Sequence, residues 1–281
     1  METEKIQSKK SKNEEKNEEL EETTEGEGQE PEKEEVDIPT YIEQLLENAS
    51  IAAPGLASLT AAVKNQALLA MAEGLEEASE ELLEANDKDI EAFDTGNGRE
   101  AMAERLRLTP ERIQDMASGI REIVALRDPV GESLGMRELP NGMKVGKVRV
   151  PIGVIGIIYE SRPNVTADAA ALCLKSGNVC VLRGGSEAIH SNTAIANILS
   201  GSAERTGIPP GAISFVERAE REAVMEFLGR DDLIDLIIPR GGETLMKTVT
   251  ENTTIPVIKH DKGVCHVYVD GHANLDMAQK I

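Results

Sequence analysis

Two short runs in the second half of the chain carry the same kind of chemistry. VLRGGSEA at 181–188 and IPRGGETL at 238–245 each follow an apolar, β-branched run and open a helix-like segment. Paired glycines let the backbone approach a ligand closely, and the first amides of a helix lack partners and favour an anion. An arginine beside each pair adds a planar, permanently charged fork. Arg183, Gly184, Gly185 and Ser186 in one copy, and Arg240, Gly241 and Gly242 in the other, are therefore candidates to hold the phosphates of a dinucleotide. On the structural alternative the glycines only turn the chain, and Ser186, Glu187 and Glu243 complement the helix starts. Neither copy is a G-x-G-x-x-G fingerprint.

A second cluster is ESRPNVT at 160–166, between the run VIGIIY and a helix-like segment. Proline forces the residue before it out of the helical region, which puts Asn164 at or beside the helix start. Its carboxamide either caps that helix or, fixed at a strand end, donates to a developing oxyanion. Arg162 offers a charge for an anionic substrate. The thiols are Cys173, Cys180 and Cys265. The first falls on the apolar face of an alanine-rich helix and the second inside a buried strand, so both read as core. Cys265, in KGVCHVYVD, has His266 beside it, but neighbours in a strand point to opposite faces, so His266 is badly placed as its base.

The elements that must position these residues follow from periodicity. From Asp37 to about Pro129 the pattern is helical: Ser58 and Thr60 precede one long amphipathic stretch, and Thr109-Pro110-Glu111 is a helix start. Pro140-Asn141-Gly142 predicts a hairpin turn. From Pro151 short β-branched runs alternate with helices, the last strands being TIPVI and CHVYV. Such alternation predicts an α/β fold, a doubly wound and mostly parallel sheet with N-terminal helices. The expected divisions are an acidic tail at 1–37, a helical segment at 38–130, a nucleotide-binding domain at 131–260 and the start of a linker at 261–281. A final helix, NLDMAQKI, runs uncapped to Ile281 and is expected to mark a truncation.

Composition removes several function classes. The chain has 281 residues, 51 acidic against 30 basic, and a net charge of −21. Such a balance disfavours nucleic acid and anionic membranes as partners. The tail at 1–37 holds fifteen acids and six bases and too few apolar residues to offset the entropy of ordering. It is expected to be disordered, or else to serve as a docking arm. Three cysteines and four histidines lack zinc spacing, so no metal is expected, and a reducing, cytoplasmic compartment fits the cysteine count.

Taken together, RLRLTPERI at 105–113, PNGMKVGKVRVPIGVIGIIYESRPNVTADAAALCLKSGN at 140–178, LRGGSEAIHSN at 182–192 and DLIIPRGG at 235–242 resemble the gamma-glutamyl phosphate reductases, or glutamate-5-semialdehyde dehydrogenases, of the aldehyde dehydrogenase superfamily. The resemblance runs from about Asp37 to Ile281. It implies reduction of L-glutamate 5-phosphate by NADPH to the 5-semialdehyde and phosphate, the second step of proline synthesis from glutamate. A cysteine thiolate attacks the acyl phosphate, and hydride then reduces the thioester. It implies Asn164 as the oxyanion donor, Arg183–Ser186 near the adenosine ribose, Gly241 and Gly242 at the pyrophosphate, a glutamate 5-kinase as a partner and a homo-oligomer at full length. The family's nucleophile lies in a motif resembling R-P-x-x-C-N, which these 281 residues do not contain. The chain is accordingly expected to be an inactive fragment. Alternatives are the reductase half of a bifunctional synthase and a non-catalytic nucleotide-binding or interaction module.

Overall fold

A computed structural model describes residues 36–93, 100–260, 264 and 266–280. The acidic tail up to residue 35 and Cys265 lie outside the described residues. Four of the described helices begin where a short polar side chain takes up an unpaired amide. Asp37 starts α1 (Ile38–Ala57), its Oδ1 accepting from Thr40 N at 2.8 Å. Thr60 caps α2 (Ala61–Glu77). α3 (Ser79–Ala92) and α4 (Glu100–Leu106) follow. Thr109 Oγ1 accepts from Arg112 N at 3.2 Å at the start of α5 (Pro110–Ala125), with Pro110 at the position where no amide is needed. β1 (Ser133–Glu138) and β2 (Lys144–Val148) form the antiparallel hairpin that the Pro140–Gly142 turn predicts.

β3 (Val154–Tyr159) is buried along its whole length, as a run of six apolar or small residues must be when both faces are covered. β4 (Val179–Arg183), β5 (Ile213–Phe215) and β6 (Leu236–Arg240) join it in the order β5-β4-β3-β6, all parallel. α6 (Pro163–Lys175) links β3 to β4 and ends before Gly177. α7 (Ile189–Glu204) links β4 to β5 after a short 3-10 turn, Ser186–Ala188. α8 (Arg221–Leu228) links β5 to β6, and α9 (Glu243–Glu251) follows β6.

α1 and α8 pack together, α1 also meeting β3, β4 and β5, while α6 packs on β3 and β4, and α2, α3 and α5 form a further layer on α6 and α7. One apolar core unites the N-terminal helices with the sheet, from Ile42 and Leu46 through Leu68 and Ile120 to Val181 and Ile237. The chain winds outward from β3 to β5 and returns past β3 to β6. The carboxyl ends of β3 and β6 thus diverge at a topological switch point, where α/β sheets leave a crevice for ligands.

Three expectations are corrected. The long amphipathic stretch after Thr60 is two helices, broken at Ala78, which has no side-chain cap. Tertiary packing imposes the break, since α2 lies on α5 and α7 whereas α3 must lie along α7. The run at 266–269 is not a strand. A strand needs a neighbour for its ladder, yet the described residues beyond β6 pair only through a single bridge, Ile237 to Val257. Tyr268 is left 87 % exposed. The final helix is one turn, α10 (Leu275–Ala278), capped by Asn274 and closed before the chain end. No helix among the described residues is long and apolar enough to cross a membrane.

Candidate active site

At the switch point the loop after β3, Glu160–Ser161–Arg162, meets the loop after β6, Arg240–Gly241–Gly242. Glu160 N donates to Arg240 O at 3.2 Å, and Gly242 N donates to Glu160 Oε2 at 2.9 Å. Gly242 is the N-cap of the nine-residue α9 and supplies no side-chain cap, so the Glu160 carboxylate takes the place an anion would occupy there. A Cβ on Gly241 would stand 2.6 Å from the Glu160 carboxyl carbon, so only glycine leaves room for this contact. A cleft of about 310 Å³ opens here between Arg105, Arg162, Arg240 and the two glycines.

Ser161 has φ 39°, the one positive φ at a non-glycine residue among those described. Such a conformation costs roughly 1–3 kcal/mol and needs support from its surroundings. Glu187 supplies it: Oε1 accepts from Ser161 N at 2.7 Å and from the Ser161 hydroxyl at 2.5 Å. The loop after β3 is therefore clasped on both sides by carboxylates, Glu160 towards β6 and Glu187 from beyond β4.

The loop after β4 is built differently. Arg183 turns its guanidinium along the chain, donating to Gly184 O at 2.5 Å and Ala219 O at 2.9 Å, and its Nε is buried without a partner. Burial lowers its pKa, opposed by the nearby Glu187. Gly184 lies against Asn192, whose Nδ2 would be 2.1 Å from a Cβ at that position. Asn192 is fixed by Thr166, which donates to its Oδ1 at 3.0 Å and shares a 2.6 Å hydrogen bond with Tyr159. Burial raises the Tyr159 phenol, so it stays neutral. Ser186 and Glu187 line a separate cleft of about 360 Å³ with Asp89, Phe93 and His190.

Asn164 is the second residue of α6 and does not cap it; the N-cap is Arg162, which makes no side-chain cap bond. The Asn164 amide is exposed and donates to Asp168 Oδ2 at 3.4 Å. Burial raises the Asp168 carboxyl, against that bond. Asn164 and Arg162 line a cleft of about 460 Å³ together with Arg105, Arg107, Asp115 and Asp168. Arg105 and Arg162 belong to both this cleft and the one at the switch point.

One turn of α3 ties these regions together. Asn86 accepts from Leu108 N at 2.7 Å and donates to Leu106 O and Ser191 Oγ, pinning the segment that carries Arg105 and Arg107. Asp89, three residues on and on the same face, accepts from His190 N at 3.1 Å, Ser191 N at 2.8 Å and Ser191 Oγ. It thereby caps α7 from outside the helix.

The spacing-based candidates are thus divided between clefts: Arg162 with Arg240, Gly241 and Gly242 at the switch point, Asn164 and Arg162 in the arginine-lined cleft, Ser186 in the third, and Arg183 turned along the backbone. Glu160, Ser161, Arg105 and Arg107 were not singled out by spacing. Spacing gives Glu187 only the part of complementing a helix start. The signal available for Glu160 and Ser161 was their position between a buried strand and a proline-started helix. Cys173 and Cys180 are core residues, 5 % and 0 % exposed. The neighbouring Cys173 and burial push the Cys180 thiol well up, which suppresses its reactive thiolate. A thiol reagent followed by peptide mass spectrometry is expected to label neither under native conditions and both in denaturant.

The model of the aldehyde dehydrogenase family matches residues 13–280. The chain is 54% identical over 244 residues to the gamma-glutamyl phosphate reductase of Geobacter metallireducens, covering 87% of this chain and 58% of that protein. It is 54% identical over 235 residues to that of Moorella thermoacetica, covering 84% and 56%. The crystal structure of the Thermotoga maritima gamma-glutamyl phosphate reductase superposes with a TM-score of 0.79 at 39% identity, over 84% of this chain and 57% of that one. That of Saccharomyces cerevisiae gives 0.72 at 31%, over 85% and 61%. The chain spans about 58% of the length of the first curated relatives it matches.

Proposed function

Because the chain belongs to the aldehyde dehydrogenase family, we propose that it carries the dinucleotide-binding part of a reductase that converts L-glutamate 5-phosphate to the 5-semialdehyde with NADPH. The observation that carries this reading is the Gly242 amide, which holds an anionic oxygen at 2.9 Å at the start of α9, beside the switch point of a parallel sheet. The residues fit a pyrophosphate: Gly241 and Gly242 present bare backbone to the cleft, and their donor already pairs with a carboxylate.

When bound, the nicotinamide supplies hydride. Gly242 N and the first turn of α9 would hold a phosphate oxygen in the place that Glu160 takes here. Arg240 adds positive charge at the same mouth. Ser186 would meet the ribose, while Arg183 shapes the Gly184–Gly185 turn through its bonds to Gly184 O and Ala219 O. Asn164 Nδ2, at the foot of α6, donates to the oxygen that becomes negative as the acyl group is attacked. Arg162 neutralises the anionic substrate. R-P-x-x-C-N does not occur in these 281 residues, and we place the attacking thiolate outside them. Supply of the acyl phosphate by a glutamate 5-kinase, a homo-oligomer and a cytoplasmic setting follow from the same reading.

Fluorescence titration of the purified chain tests it. NADPH should bind more tightly than NADH, Arg183→Ala should weaken both by loosening the Gly184–Gly185 turn, and glutamyl phosphate should not be reduced. Failure to bind either nucleotide would overturn the reading. So would turnover that Cys265→Ala abolishes.

A further inference from the structure

Tyr159, Thr166 and Asn192 form a polar chain at 1%, 0% and 0% exposure, joining the end of β3 to the first turns of α6 and α7. The direction of its hydrogen bonds follows from the protons available. Thr166 has one hydroxyl proton and gives it to Asn192 Oδ1 at 3.0 Å. Tyr159, kept neutral by burial, is therefore the donor in its 2.6 Å bond to Thr166. With Oδ1 turned to Thr166, the Asn192 carboxamide turns Nδ2 the other way. That nitrogen is buried and makes no hydrogen bond among the described residues. It lies against Gly184, where a Cβ would stand 2.1 Å from it. A buried donor without an acceptor is costly, and a chain that keeps one needs a reason for it.

The turn beside it has the means to supply an acceptor. Gly184 O is held by Arg183 Nη1 at 2.5 Å, and a carbonyl oxygen has a second lone pair. Asn192 excludes a side chain at 184, and the Glu187 carboxylate stands 2.3 Å from a Cβ at 185. The peptide between two glycines turns with little steric resistance. We propose that Asn192 is a positioning residue for the nucleotide: on binding, the Gly184–Gly185 peptide rotates, Gly184 O accepts from Asn192 Nδ2 while still held by Arg183, and the Gly185 N–H is presented to a nucleotide oxygen. The inference rests on the reductase reading and deepens it, by naming the group that locks the turn after β4. The unmet donor is then half of a hydrogen bond that the cofactor completes. Thr166 and Tyr159 keep the carboxamide aimed until it does.

Gly184–Gly185 and Gly241–Gly242 are the two adjacent glycine pairs in the sequence. In the full chain, isotope-labelled at the glycine carbonyl and nitrogen, a carbonyl-edited amide spectrum therefore shows Gly185 and Gly242 alone. Gly242→Ser removes one signal and assigns both. On titration with NADPH both are expected to move, the first with its Gly184 carbonyl coordinate. In a sample labelled at asparagine, one side-chain amide should shift downfield as Nδ2 gains its acceptor; it is the amide missing from Asn192→Leu. That variant removes the donor and acceptor together, and Thr166 retains Tyr159. It should bind NADPH about ten-fold more weakly, the worth of one buried hydrogen bond. At saturation its Gly242 signal should still move while its Gly184 carbonyl stays near the starting position. A wild-type Gly184–Gly185 signal that holds still while Gly242 moves overturns the proposal alone. So does wild-type affinity in Asn192→Leu. If neither signal moves in the wild type, the dinucleotide reading falls with it. Should Asn192→Leu fail to fold, the wild-type spectra decide by themselves.

Discussion

Replacing Asp89 with alanine is expected to lower the unfolding free energy by about 3 kcal/mol and to weaken NADPH binding in the same variant. Three donors, His190 N, Ser191 N and Ser191 Oγ, converge on this carboxylate, which is 2% exposed. Removing a buried acceptor leaves its donors desolvated and unpaired, at roughly 1–3 kcal/mol for each such group, partly relieved by relaxation. The start of α7 also fixes Glu187, and Glu187 holds Ser161 in its unfavourable conformation. Asp89→Asn keeps an acceptor oxygen and should recover about half of the loss. Urea unfolding and NADPH titration of both variants measure the two effects together; an Asp89→Ala protein as stable as wild type would refute the account.

Replacing Lys64 with methionine is expected to cost a further large amount, again about 3 kcal/mol, with a fall in Tm of roughly 6–12 °C. Lys64 is 1% exposed, pairs with Asp128 at 2.7 Å and donates to Lys175 O at 3.1 Å, joining α2 to the end of α6 and the chain after α5. Methionine fills the space but leaves Asp128 without its principal cation. Burial raises the Asp128 carboxyl, but the bonds from Lys64 and Val130 N outweigh it and the net shift is downward. A carboxyl lowered in the folded state stabilises fully above its unfolded value, about 3.9, and loses that contribution as pH falls through the folded value. The gap between wild type and Lys64→Met should therefore be wide at pH 7 and narrow below about pH 4. Thermal melts across this range measure it, and a gap independent of pH would refute the pairing.

What could be read from the sequence was what neighbours within a few residues decide. Thr60, Thr109 and Pro110 start helices through contacts one turn away, and VIGIIY is a buried strand whatever flanks it. The break at Ala78 could not be read, because nothing local distinguishes it from the helix on either side; the packing of α3 on α7 makes it. CHVYV has every local feature of a strand, and pairing with a second segment is the ingredient a single run cannot supply. The glycine pairs were legible as ligand-approaching turns, but not the carboxylates that meet them. Glu160 reaches Gly242 across 82 residues and Glu187 reaches Ser161 across 26, and neither separation has a periodicity to reveal it. Arg105 and Arg107 look like ordinary charges near a helix end, and only the structure brings both to one cleft with Arg162 and Asn164.

The β1–β2 ribbon behaves as a separate energetic unit. Every residue of β1 is exposed, and Met136 and Val148 keep 72% and 59% of their surface in water. Its contacts are chiefly between its own two strands, anchored at the base by Gly131 N to Arg149 O and by the Glu132–Arg149 pair. Two strands without a third or a packed face are marginal in water. The ribbon can therefore open at a small fraction of the free energy that unfolds the core, and its amides exchange through that local opening. Two protection levels should coexist in one chain: a shallow one at 133–148, and a deep one in β3 and β4, where exchange waits for the sheet itself to come apart.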